Sequence, residues 1–137
     1  MDDPSSSPDT SPLPYLRTDT ADLLRTIVHA LDDRKAEDIQ VVVVGEVSSV
    51  CDVFVLCSGT SQRHANTLVD HVVDACREQG IRPYGSEGQG TGWALVDYGD
   101  IVVHVFDRET REYYELERLW LDAPRIPLAE LDLPLAS

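Results

Sequence analysis

Residues 91–106 of the chain read Thr-Gly-Trp-Ala-Leu-Val-Asp-Tyr-Gly-Asp-Ile-Val-Val-His-Val-Phe. Two apolar runs flank the pair Tyr98-Gly99, and glycine adopts the positive φ that a two-residue hairpin turn requires. The pattern predicts a β-hairpin in which Asp97 lies opposite Asp100. Like charges placed directly across two strands destabilise the pair by a few tenths to about 1 kcal/mol, so this arrangement needs a reason outside the hairpin.

Alternation along the two strands divides the hairpin into two faces. One face is wholly apolar and is expected to pack against helices; it consists of Ala94, Val96, Ile101, Val103 and Val105. The other face mixes aromatic, aliphatic and acidic side chains, namely Trp93, Leu95, Asp97, Asp100, Val102, His104 and Phe106. Such a mixture is typical of a surface on which a basic partner docks. The alternative is a half-solvated sheet face with two hydrated aspartates at the turn.

Outside the hairpin, helical and strand patterns alternate. Apolar residues recur at helical spacing in two segments, one from a predicted cap at Thr18 or Asp19 to about Lys35 and one from residues 58–61 to Gly80. The other predicted elements are strands over 39–44 and 53–57, an extended piece over 81–84, a glycine-rich loop over 85–92 and a closing helix over 107–121 with Tyr113, Leu116, Leu119 and Trp120 as packing residues. This order predicts an α/β (α+β) single domain, with one mixed β-sheet and helices packed on it.

Charge restricts the class of partner. The net charge is −14, with one lysine and ten scattered arginines, whereas phosphate backbones need a clustered basic surface. Nucleic-acid readout is therefore not expected, and a basic protein is the favoured macromolecular partner. The same acidity also fits a chain selected only for solubility.

Composition restricts the compartment in a similar way. No uninterrupted apolar run reaches the roughly 18 residues that a membrane helix needs. The first residues lack the basic and apolar regions of a signal peptide. The three cysteines, an odd number without CxxC spacing, indicate reduced thiols, and Cys57 and Cys76 fall on buried positions. We expect a cytoplasmic protein without a membrane segment.

Few residues are arranged for catalysis or metal binding. Residues 58–61, Ser-Gly-Thr-Ser, lie between a strand and a helix, where backbone N–H groups could hold an anion, but capping of the helix by Thr60 or Ser61 is the simpler interpretation. A magnesium-dependent nucleotidyltransferase is the enzymatic alternative, with Asp97 and Asp100 as the obvious carboxylates. These flank a turn instead of alternating on one strand. We therefore expect no catalytic residues, no metal site and no cofactor.

Four ordered segments carry the signature of a known family. They are Asp-Val-Phe-Val-Leu-Cys-Ser-Gly-Thr-Ser-Gln-Arg-His (52–64), Asp-His-Val (70–72), Leu-Val-Asp-Tyr-Gly-Asp-Ile-Val-Val-His-Val-Phe (95–106) and Arg-Glu-Tyr-Tyr-Glu-Leu-Glu-Arg-Leu-Trp (111–120). On these segments the chain resembles the iojap family, the ribosomal silencing factors, over about residues 19 to 124. The implied organisation is a disordered N-terminal tail (1–17), an iojap-like domain (18–124) and a C-terminal tail (125–137).

The resemblance implies a nucleotidyltransferase-like topology without the enzymatic activity. It also implies binding to the large ribosomal subunit through ribosomal protein L-fourteen, which blocks joining of the small subunit and represses translation when nutrients are short. Carried to this sequence, the partner-binding residues are Trp93, Leu95, Asp97, Tyr98 and Asp100, with Glu87 at the rim. A homodimer that uses the same face is a further alternative.

Overall fold

The structure is a computed structural model that describes residues 16–45, 51–114, 118 and 123–131. Within them, the helices and strands follow one another as α1 (Thr18–Asp33), β1 (Glu37–Val43), β2 (Val53–Gly59), α2 (Gln62–Glu78), β3 (Gly85–Glu87), β4 (Trp93–Asp97), β5 (Ile101–Asp107), α3 (Arg108–Tyr114) and a 3₁₀ turn (Leu128–Leu131). No helix in these ranges is long and apolar enough to cross a bilayer.

The strands form one mixed sheet in the order β1-β2-β5-β4-β3. Only β2 and β5 run parallel, because α2, β3 and β4 lie between them in the chain and return it to the same end of the sheet. Both long helices contribute to a single core with one face of the sheet. This confirms the predicted single α+β domain with a mixed sheet and packed helices.

Both long helices bury the stripes predicted from their spacing. On α1, Leu24, Ile27, Val28 and Leu31 are fully buried, and on α2 the buried residues are Ala65, Leu68, Val69, Val72 and Cys76. Thr18 or Asp19 was expected to cap α1, and this is wrong: Arg17 occupies the cap position and makes no side-chain capping bond. The stripe, not a cap, therefore holds this helix.

The hairpin turn lies one residue later than predicted. Tyr98 N–H donates to the Ile101 carbonyl over 2.9 Å, so Gly99 and Asp100 form the turn. Gly99 has a φ of +89° and Asp100 has no positive φ, the pattern of a type II′ turn. The predicted turn would have required Tyr98 at its first position, where a positive φ is costly for a bulky side chain. Asp97 accordingly pairs with Val102, not with Asp100.

The displaced turn moves every cross-strand partner by two residues but leaves the strand residues on their predicted faces, because side-chain direction repeats every two residues. Asp100 leaves the mixed face, since it lies in the turn. Trp93 pairs with Phe106 instead of His104, and His104 pairs with Leu95. The apolar face is confirmed, since all five of its residues lie in the core shared with the helices.

The glycine-rich segment contains a strand that the sequence did not predict. β3 covers Gly85–Glu87 inside the predicted loop and pairs with β4, whereas residues 81–84 form no strand. All three residues of β3 are exposed. Such a short edge strand carries no burial pattern and depends on β4 for its existence.

The end of the chain also differs from the prediction. The structure describes α3 over Arg108–Tyr114, where Tyr113 is 79% exposed instead of packed, and Arg111 is buried among the side chains it describes. The predicted packing residues Leu116, Leu119 and Trp120 lie outside the described residues.

Residues 125–131, predicted to begin the C-terminal tail, pack on the domain. Ile126 N–H donates to the Val41 carbonyl over 3.0 Å, and Arg125 forms a bridge with Val42 at the edge of β1. The side chains of Ile126 and Leu131 are buried in the core. Pairing with an open strand edge and burial of two apolar side chains offset the chain entropy of this segment.

Candidate partner-binding surface

Four of the six predicted binding residues lie together on the sheet face opposite α1 and α2. Glu87 on β3 pairs with Leu95 on β4, and Asp97 follows Leu95 by two residues on the same face. Trp93 precedes Leu95 by the same interval. Glu87 is exposed and the other three are half-exposed. We call these four residues the outer face.

The other two predicted residues lie elsewhere. Tyr98 points to the helix side, where it is 6% exposed and belongs to the core. Burial raises its pKa, with the Cys76 thiol as its polar neighbour. Asp100 sits in the hairpin turn and accepts a hydrogen bond from the Thr20 hydroxyl over 3.1 Å. Tyr98 is thus a core residue, and Asp100 joins the turn to α1.

Aromatic rings on the same side of the sheet pack against Trp93 and hold it in place. The Trp93 and Phe106 ring centroids are 5.1 Å apart, and the Phe54 and His104 rings meet edge to face at 4.7 Å. Trp93 Nε1–H donates to His104 Nδ1 over 3.1 Å. These contacts place the indole of β4 against side chains from two other strands, β2 and β5.

His104 is neutral in this environment. The ring is 5% exposed, and burial lowers its pKa to about 4. A proton on Nδ1 would also face the indole N–H, leaving two donors opposed to each other. The hydrogen bond to Trp93 therefore fixes the remaining proton on Nε2.

Negative charge gathers where the hairpin turn meets the start of β2. Burial and then the carboxylates of Asp52, Asp97 and Asp100 raise the pKa of the Cys51 thiol to about 11. Asp97 itself accepts a hydrogen bond from the Gly99 N–H over 2.7 Å, which holds the turn. Within the described residues no group of three or more His, Cys, Asp or Glu side chains is placed to hold a metal ion. The carboxylates of Asp52, Asp97 and Asp100 thus create a negative potential at this edge of the sheet.

Residues 58–61 support the helix and the sheet. The Ser61 hydroxyl accepts the N–H of His64 over 3.1 Å, which confirms the predicted capping. The backbone N–H of Thr60 donates to His64 Nδ1 over 2.9 Å. A Cβ on Gly59 would lie 2.6 Å from the Ala65 nitrogen. The N–H groups of Thr60 and His64 and the space beside Gly59 are thus used in joining the segment to α2, as the capping interpretation requires.

Two residues of the surface were missing from the predicted binding set. The sequence placed His104 on this face without a role, and Phe54 was assigned only to a buried strand. Alternation along β2 separates Phe54 from Val53 and Val55, which lie in the helix-side core. The parallel pairing of β2 with β5 brings Phe54 to His104, and no local pattern reports such a distant pairing.

Comparison with known proteins gives consistent matches. The family model described as "Ribosomal silencing factor during starvation" matches residues 17–136. The ribosomal silencing factor RsfS of Bacillus subtilis is 41% identical over 111 residues, 80% of this chain and 92% of that protein. The protein of the same name from Halalkalibacterium halodurans is 39% identical over 108 residues, 78% and 92% of the two chains. A Chromobacterium violaceum crystal structure has a TM-score of 0.70 at 34% identity, covering 72% of this chain and 83% of that one.

Proposed function

Since this chain belongs to the family of ribosomal silencing factors, we propose that it represses translation by occupying the large ribosomal subunit. The partner is ribosomal protein L-fourteen, at the face where the small subunit joins. Joining is then prevented sterically, for example under nutrient limitation. In this proposal the protein is a cytoplasmic, ribosome-associated binding factor without catalytic activity.

One observation carries the proposal, namely the juxtaposition of an aromatic anchor with carboxylates on a sheet face opposite the long helices. Trp93 and Leu95 offer half-exposed apolar surface, and Glu87 and Asp97 flank them with negative charge. Aromatic residues at the centre of a patch tend to dominate binding energy, while charges at the rim steer the encounter. A small basic protein fits this combination.

The test is co-sedimentation of purified variants with large ribosomal subunits, followed by calorimetry with isolated L-fourteen. Trp93→Ala should weaken binding by about 2 kcal/mol or more, because it removes the anchor. Tyr84→Ala is the matched control, since Tyr84 is an aromatic side chain that is 84% exposed and lies outside the outer face. Circular dichroism and thermal unfolding establish that each variant is folded.

Charge is tested with a second matched pair. Glu87→Lys reverses an exposed charge on the outer face, and Glu78→Lys makes the same change at the end of α2. We expect weaker binding for Glu87→Lys and unchanged binding for Glu78→Lys, because only the first charge faces the partner. If Trp93→Ala and Glu87→Lys both co-sediment as well as the unaltered protein does, the outer face is not the binding site.

A further inference from the structure

His104 lies among three aromatic side chains next to the outer face, those of Phe54, Trp93 and Phe106. Its ring meets Phe54 edge to face at 4.7 Å and stacks on Phe106 at a centroid distance of 6.4 Å with an interplanar angle of 13°. The ring is 5% exposed. Because the Phe54 and Phe106 rings pack against it from two sides, the imidazole has little freedom to rotate.

The imidazole bonds the anchor of the surface directly. Nδ1 of His104 accepts the indole N–H of Trp93 over 3.1 Å. The opposite nitrogen, Nε2, is buried and has no hydrogen-bond partner among the described residues. A buried N–H without an acceptor costs free energy, and a phenylalanine at this position would avoid that cost. Stability alone therefore does not account for a histidine here.

The hydrogen bond determines which part of the indole a partner contacts. Trp93 is only half-buried, so an indole N–H without an internal acceptor would compete for water or for the partner. With the N–H satisfied by His104, the indole offers its apolar surface and keeps one orientation. Fixing an anchor before binding lowers the entropy that association must overcome.

We propose that His104 is a positioning residue for the docking surface, holding Trp93 in its binding orientation through the Nε1–Nδ1 hydrogen bond. The inference rests on the proposed function, because it assigns a role within the same surface. His104 does not touch the partner; it acts through Trp93.

The first measurement uses the free protein and needs no partner. The indole N–H of Trp93 should exchange slowly with solvent in the unaltered protein, and its NMR resonance is identified by its absence in Trp93→Phe. His104→Phe keeps an aromatic ring but removes the acceptor, so this N–H should exchange faster. His104→Asn retains an acceptor oxygen near the position of Nδ1 and should keep part of the protection.

The second measurement is a double-mutant cycle on affinity for large ribosomal subunits. His104→Phe should weaken binding by about tenfold while the protein stays folded. His104→Asn should recover part of this loss. In the Trp93→Ala background, His104→Phe should have no further effect, because the group that it positions is gone.

The outcomes separate this inference from the proposed function. If Trp93→Ala leaves ribosome binding unchanged, the proposed surface fails. If Trp93→Ala weakens binding but His104→Phe does not, the surface stands and the positioning role is wrong. Equal losses for His104→Phe with and without Trp93 would also overturn it. Should His104→Phe fail to fold, His104→Asn and the indole exchange rate still decide the question.

Discussion

The neutral imidazole of His104 makes the stability of the domain sensitive to acid. Its pKa falls from 6.5 to about 4 because the ring is buried. Between these values the unfolded chain binds a proton that the folded chain does not, so the free energy of unfolding decreases as the pH falls from 6.5 towards 4. Well above pH 6.5 neither state binds this proton, and the group contributes no pH dependence.

We expect His104 to account for a loss of about 3 kcal/mol over this interval. Urea unfolding of the unaltered protein and of His104→Phe at a series of pH values would measure it. The two proteins share every other ionisable group, so the difference between their curves isolates the contribution of the histidine. Parallel curves from pH 7 to pH 4 would contradict the assignment.

Gly88 allows the loop backbone to pass close to the carbonyl group of Trp93. It has a φ of +78°, and a Cβ built on it would lie 2.2 Å from the Trp93 carbonyl oxygen. Gly90 has a similar φ of +86° but open space around it. Gly88→Ala should therefore destabilise the protein well beyond the roughly 1 kcal/mol expected of Gly90→Ala, where only the backbone conformation is strained.

Denaturant unfolding of the two glycine variants measures this difference directly. Gly88→Ala should also weaken ribosome binding, since relief of the clash displaces the backbone that carries Trp93. Equal stability of the two variants would show that this loop adjusts freely.

At the scale of elements, Arg111 joins α3 to β1 and β2. Its Nη1 donates to the Asp38 carbonyl over 2.8 Å and to the Ser58 hydroxyl over 3.0 Å, and its Nη2 lies 3.2 Å from an Asp38 carboxylate oxygen. Asp38 has a φ of +52° at an irregularity in β1. The strained backbone is held where it offers both its carbonyl and its carboxylate to the buried guanidinium.

Replacing Arg111 with methionine should lower the free energy of unfolding by about 2 to 4 kcal/mol, because buried polar groups lose their partner. Arg108→Met is the matched control on the same helix. Arg108 pairs with Glu37, but their side chains are 58% and 39% exposed, so its loss should have a smaller effect than the loss of the buried Arg111. Thermal unfolding of the pair would test this, and similar melting temperatures would remove the structural role of Arg111.

At the scale of the whole molecule, the net charge of −14 should govern how quickly a basic partner is found. We expect the association rate with L-fourteen to fall steeply with added salt while the dissociation rate changes little. Stopped-flow fluorescence at several salt concentrations measures both rates. Glu87→Lys should reduce the salt dependence more than Glu78→Lys does. An association rate independent of salt would leave the acidity without a role in binding.

A second copy of the chain could compete for the same surface. Light scattering over a range of protein concentrations, repeated with Glu87→Lys, would reveal a homodimer that uses the outer face. In a two-fold contact the like charges of two copies oppose each other, so the reversed charge would change the self-association.

The sequence alone determined features that depend on local periodicity. The stripes of α1 and α2 and the two faces of the hairpin follow from the spacing of apolar residues, and they tolerated a turn displaced by one residue. Alternation likewise placed three of the six predicted binding residues, Trp93, Leu95 and Asp97, on one side, whereas Glu87 joins them only through the unpredicted strand β3. Capping of α2 by Ser61 was also predicted from the neighbouring sequence.

Only the tertiary structure decided the features that depend on distant neighbours. Tyr98 turned inward because the turn began one residue later, with glycine at the position that needs a positive φ. Parallel pairing of β2 with β5 brought Phe54 against His104, and burial made that histidine neutral. Its neutral ring accepts the hydrogen bond from Trp93. Strand order and burial depend on the free energy of the whole core, which no short stretch of sequence contains.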